Sequence, residues 1–144
     1  MKKAQTYAEA VKYNTKKKFN KLIQKPDDLE LIGKGRSAYV FKLTEEGREM
    51  ALKVFFPEFK NIAAREAEIY KKLSDSNYYP DIYETGPSYI LMEYIKGYTF
   101  YECLNKGIPI DDDMICEVDR ALNDAKRKGC LLYTSDAADD SLRV

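Results

Sequence analysis

The sequence predicts an α+β fold: a five-stranded antiparallel sheet with one helix inserted after its third strand and further helices behind it. Three observations predict it. Short strand-like runs fill positions 29–55, the apolar period then lengthens from two to 3.6 over 61–73, and two more short runs follow before Gly97 breaks the pattern. A glycine turn between the first two runs, and a lysine inside the third, mark where chemistry should lie.

Residues 1–25 read as helical and basic, with eight lysines (2, 3, 12, 16, 17, 18, 21 and 25) against one acid, Glu9. Val11, Phe19, Leu22 and Ile23 supply a modest apolar stripe, and Pro26-Asp27-Asp28 ends the segment. Two readings stand. One is a solvated helix leaning on the sheet, the commoner use of such a charge run; the other is a basic arm for nucleic acid or an anionic surface. Strands are expected at 29–32 and 38–43, a hairpin turn at Thr44-Glu45-Glu46-Gly47, and a third strand at 50–55 closed by Pro57. In the helix that follows, Ile62, Glu66, Ile69 and Leu73 fall at i, i+4, i+7 and i+11 and share one face. Strands at 80–84 and 88–93 meet at Thr85-Gly86-Pro87. A short helix is expected at 100–105, and a longer one at 112–128, with Asp111, Asp112 and Asp113 as cap and dipole partners. Its apolar stripe is Ile115, Val118, Leu122 and Ala125. In a fragment lacking the rest of a second lobe, Ile115, Val118 and Leu122 would face solvent.

The chain of 144 residues suits one domain with a real core. Basic and acidic residues balance at 24 each, so net charge points to no partner. No apolar run approaches the roughly 20 residues of a membrane-spanning helix, and the first residues lack the apolar stretch of a signal peptide. Cys103, Cys116 and Cys130 have no metal-ligand spacing and read as reduced thiols, which implies a cytoplasmic protein. The chain has no histidine, which excludes a Ser-His or Cys-His nucleophilic pair and any histidine-ligated metal. No metal site is expected in this chain.

Three residue types then converge. Gly33 and Gly35 could let a backbone approach phosphate oxygens, although an ordinary glycine hairpin explains them equally well. Lys53 shares its strand face with Ala51 and Phe55, so its ammonium must find an anion or reach water past a sheet edge. Glu66 lies on the helix face that should press on the sheet, and a carboxylate there needs a cation, Lys53 being the nearest candidate. The competing reading is a solvated Glu66 at the stripe's edge, bonded to Tyr70.

Gly33-x-Gly35-x-x-Ala38-x-Val40, then Met50-Ala51-Leu52-Lys53, then Glu66, is similar to the opening of eukaryotic-type protein kinases. The likeness covers 29–129 and is nearest to small bacterial serine/threonine kinases. Two positions depart from the pattern: Ala38 replaces the third loop glycine, and Ser37 replaces the loop-tip aromatic. The resemblance implies a kinase amino-terminal lobe with hinge at 29–96, a basic extension at 1–28, and the first helices of an incomplete carboxy-terminal lobe at 97–129. It implies ATP as ligand, with Lys53 on the α and β phosphates, Glu66 holding Lys53, and the loop of Gly33, Lys34, Gly35 and Ala38 over them. Val40 and Ala51 would cover the base, Met92 would be gatekeeper, and the Glu93 carbonyl and Ile95 amide would hold the adenine edge. Mg2+ and a protein substrate belong to the full-length parent; small-molecule kinases share this lobe, and a non-catalytic nucleotide-binding module is a further alternative.

After Gly129 a kinase would present its catalytic loop and D-F-G aspartate, and neither follows. Residues 130–144 instead resemble the translation of a sequencing adapter and are expected to be non-native. The chain as written is therefore expected to be an inactive fragment.

Overall fold

The computed structural model describes residues 2–14, 21–97 and 100–129. In chain order the elements are α1 (Lys2–Ala10), β1 (Lys12–Asn14), β2 (Lys21–Gln24), β3 (Leu29–Lys34), β4 (Ala38–Glu45) and β5 (Arg48–Phe55). A 3-10 turn at Pro57–Phe59 leads into α2 (Lys60–Lys72), then β6 (Ile82–Thr85), β7 (Tyr89–Glu93), α3 (Phe100–Lys106) and α4 (Asp112–Arg127). β3 to β7 form the five-stranded antiparallel sheet that the sequence predicts, and the structure places them in the order β3-β4-β5-β7-β6.

Local chemistry sets the connections. Glu46 and Gly47 both have positive φ (51° and 75°), the two-residue hairpin geometry whose twist matches the strands it joins. The β6–β7 turn needs Gly86 for space: a Cβ there would meet the Tyr89 ring at 2.1 Å. Because α2 carries the chain from β5 to the sheet edge at β6, β7 returns to pair with β5 in the interior.

The sheet is covered on both faces. On one, Ala38, Val40, Ala51, Phe55, Ile90 and Met92 pack under Ala63, Ala67 and Tyr70 of α2. The helix is turned slightly from the predicted stripe. Its buried face is Ala63, Glu66, Ala67 and Tyr70, with Ile62 and Ile69 half-buried at the flanks. Alanines allow a closer helix–sheet approach than isoleucines would, so they take the centre.

On the other face, Leu29, Phe41, Leu43, Leu52, Val54 and Leu91 are covered by Ala4, Ala8 and Val11. This corrects the expected helix over 1–25. Among the described residues of this segment Lys2–Ala10 is helical, and Lys12–Asn14 pairs with Lys21–Gln24 antiparallel. A helix continued through the lysines would have lacked acidic partners at i+4, whereas this pairing puts the Tyr13 ring against the sheet. Of the predicted stripe, Val11 is buried, Leu22 half-buried and Ile23 65% exposed. Lys16, Lys17, Lys18 and Phe19 lie outside the described residues, as do residues 130–144.

α4 starts as expected: the Asp111 carboxylate accepts from the Met114 amide at 2.9 Å. Its buried residues are Ala121 and Ala125, while Ile115 and Leu122 stay 49% and 39% exposed. The predicted stripe is thus corrected at Ile115 and Leu122, while Ala125 is buried as expected. The alanine face docks on the turn after α2, where Tyr79 Oη donates to the Ala121 carbonyl at 2.8 Å. Ser76 Oγ donates to Asp124 at 2.9 Å, and Lys128 pairs with Asp75. The Ser76 hydroxyl, then the Arg127 guanidinium, hold the Asp124 carboxyl below its usual range. A carboxyl depressed on folding stabilises the folded chain fully above its unfolded value and loses that contribution as pH falls through the folded one. Wild type should therefore lose more melting temperature than Asp124→Asn on acidification from neutrality to below about pH 4. Parallel acid profiles for the two would remove Asp124 from the account.

Candidate functional site

The register of the sheet assembles the site. Val40 lies opposite Lys53 and Lys53 opposite Ile90, while Ala51 lies opposite Met92 in the adjacent row. Directly paired residues share a face, so Lys53 stands mid-sheet with Val40 and Ile90 beside it and Ala51 and Phe55 along its own strand. Its Nζ is fully buried, 3.0 and 3.3 Å from the two Glu66 carboxylate oxygens and 5.4 Å from the Phe55 ring centroid. Glu66 is 6% exposed. The sheet-edge reading of Lys53 and the solvated reading of Glu66 are both excluded. Two charges this dry in apolar surroundings depend on each other, since neither reaches water.

Beside the pair opens a cleft lined by Ile32, Val40, Ala51, Met92, Glu93, Tyr94 and Ile95. Five of the predicted binding residues are there: Val40, Ala51, Met92, Glu93 and Ile95. Ile32 and Tyr94 were not anticipated. Ile32 sits at the register shift of β3 against β4, a bulge that periodicity does not reveal. The Tyr94 ring lies 5.6 Å from the Lys42 ammonium, a contact between residues 52 positions apart. The strand end that forms the back of the cleft is fixed by the Glu93 amide, which donates to the Asp81 carbonyl at 2.8 Å. Among the described residues no hydrogen bond uses the Ile95 amide.

Gly33, Lys34, Gly35 and Ala38 belong to the β3–β4 hairpin, beyond the cleft wall. Its tip is tight, with the Gly35 amide donating to the Ala38 carbonyl at 2.9 Å. Neither Gly33 nor Gly35 has positive φ, so backbone handedness does not require glycine at either position. Lys34 is exposed, while Ala38 is 1% exposed and part of the core under α2. A methyl group at position 38 therefore has its own apolar seat.

No protein-family model matches the chain. A protein of Bacillus subtilis (strain 168), named "Putative serine/threonine-protein kinase YrzF", is 61% identical over 127 residues, 88% of this chain and 59% of the relative. The chain thus spans about three-fifths of that relative's length. Among solved structures, Rad53 1-466 in complex with AMP-PNP superposes with a TM-score of 0.57 at 20% identity, over 81% of this chain and 38% of that one. The Rio2 kinase from Chaetomium thermophilum gives 0.43 at 12% identity, over 69% and 43%.

Proposed function

The chain is protein-kinase-like in fold and in sequence, and from that premise we propose that it is the ATP-binding part of a serine/threonine protein kinase. The observation that carries this is the buried Lys53–Glu66 pair adjoining an apolar cleft at the end of β7. The cleft suits a purine: Val40, Ala51, Ile32 and Met92 offer apolar walls, and the Ile95 amide offers a fixed main-chain donor. The Rad53 structure of similar fold was solved with AMP-PNP, which supports the same use of the cleft here. Lys53 would meet the α and β phosphates, and Glu66 would keep its ammonium aimed. Because Lys53 is fully covered, a local rearrangement would have to precede its contact with phosphates.

ATP would supply the transferable γ-phosphoryl group, and the whole protein would place it on a serine or threonine hydroxyl. The name of the 61%-identical relative favours a protein acceptor over a small molecule. Among the described residues no cluster of three or more His, Cys, Asp or Glu side chains could hold a metal, and Mg2+ on a nucleotide takes only one or two carboxylates besides the phosphates. We assign the metal ligands and catalytic aspartate to further sequence of the parent, and regard the chain as given as inactive. Cytoplasmic residence fits the free thiols of Cys103 and Cys116, and no helix among the described residues is long and apolar enough to cross a membrane. A nucleic-acid role for the basic segment has less support, since Lys3 pairs with Glu45 and Lys25 donates to the Leu29 carbonyl.

The test is a phosphotransfer assay on the full-length parent with radiolabelled ATP. Label is expected on seryl or threonyl protein acceptors and lost in Lys53→Met. Label on sugars or aminoglycosides alone would reassign the substrate class, and none on any acceptor would overturn the enzyme reading.

A further inference from the structure

Among the described residues of the amino-terminal segment, Tyr13 packs at the base of the 33–38 hairpin. Tyr13, on β1, packs edge-on to Tyr39 (centroids 5.5 Å apart, planes at 87°) and to Phe56 (4.7 Å, 89°). Tyr39 and Phe56 also meet edge-on, at 5.4 Å and 72°, closing a three-ring cluster. Edge-to-face pairs at these separations are attractive beyond the area they bury. The Tyr13 hydroxyl donates to the Val54 carbonyl at 2.8 Å, and burial pushes its pKa well above the usual phenol range.

Each contact of Tyr13 lies at the base of the glycine hairpin. Tyr39 pairs with Lys34 across the hairpin and with Val54 on β5. The Phe56 amide donates to the carbonyl of Ser37, at the hairpin tip, at 2.9 Å. Val54 follows Lys53 directly in β5. One ring thus joins β4, on which the loop ends, to β5, which carries Lys53. In α1 and just after it, Ala4, Ala8 and Val11 fill the middle of the sheet's outer face.

We propose that Tyr13 is a positioning residue for the 33–38 loop, so that the amino-terminal segment sets how tightly the lobe grips a nucleotide's phosphates. The mechanism rests on the ATP-binding reading and acts through Tyr39, Phe56 and the Ser37 carbonyl, with no contact between Tyr13 and the ligand. With the rings in place the loop base is held against the end of β5 through the Phe56 amide and the Ser37 carbonyl; without Tyr13 the loop is looser and holds phosphates less well.

The experiment compares Tyr13→Ala, Tyr13→Phe and the control Ala8→Gly, which loosens α1 away from the three rings. ATP and adenosine affinities are measured for the whole chain, together with amide exchange at residues 35–38. Tyr13→Ala is expected to weaken ATP by about tenfold, from the loss of two ring pairs, while adenosine affinity holds. Tyr13→Phe should recover most of it, and Ala8→Gly should lower thermal stability with the ATP-to-adenosine ratio unchanged. Equal losses for both ligands, a tighter grip on ATP, or the same ratio change in Ala8→Gly would overturn the proposal. If wild type binds neither ligand, the nucleotide reading fails by itself. The loop proposal is then decided by exchange: faster exchange at 35–38 in Tyr13→Ala than in Ala8→Gly at matched stability supports it, and equal exchange overturns it.

Discussion

Replacing Lys53 by Met should destabilise the chain by about 3–5 kcal/mol, the usual result of stranding one member of a buried ion pair. Glu66→Met should cost a similar amount, because it strands an ammonium that is 0% exposed. The double variant Lys53→Met/Glu66→Met should recover most of that loss, since two apolar side chains of similar length suit a site ringed by Val40, Ala51, Phe55 and Ile90. Denaturant melts of the four proteins make a double-mutant cycle, with an expected coupling of at least about 2 kcal/mol. Additive single effects would mean that the two side chains do not depend on each other. A pair that can be exchanged for methionines at little cost is not needed for folding. Its presence then calls for a use of the charge, and a phosphate is the partner the cleft suggests.

Tyr79→Ala should detach α4. The Tyr79 side chain is 3% exposed, packs with Ala121 and Ala125, and donates to the Ala121 carbonyl. Truncating a buried aromatic to alanine costs about 3–5 kcal/mol, and here the loss falls on a single interface. Amide exchange should rise along Asp112–Arg127 far more than along the central strands β4, β5 and β7. Tyr79→Phe should cost only about 1 kcal/mol, the net worth of one hydrogen bond. Uniform loss of protection across sheet and helix in Tyr79→Ala would show that α4 and the sheet unfold as one unit.

Much of this architecture was legible because it rests on short-range patterns. The 29–55 meander, the inserted helix and the two later strands each carry a period or a turn signal of their own. Lys53 and Glu66 were legible because charged residues on faces that must be buried stand out. What escaped depends on small side chains and on distant partners. Ala4 and Ala8 carry too little hydrophobicity to announce that α1 covers a sheet face, and the same is true of Ala121 against the bulkier Ile115 and Leu122. The switch from helix to strand after Ala10 follows from where the Tyr13 ring finds Tyr39 and Phe56, 26 and 43 residues away in sequence. Ile32 and Tyr94 entered the cleft through a strand bulge and a cross-sheet cation contact, neither of which leaves a local trace.

The central claim is that Lys53 serves a nucleotide's phosphates beside a cleft that takes the base. Calorimetric titration of ATP and adenosine into wild type and into Lys53→Met/Glu66→Met tests it most directly, because the double variant is expected to keep the fold. Wild type should bind both ligands, and the double variant should keep adenosine while losing at least about tenfold in ATP affinity, the worth of a charge-assisted contact. Unchanged ATP binding in a folded double variant, or no binding of either ligand by folded wild type, would contradict the account.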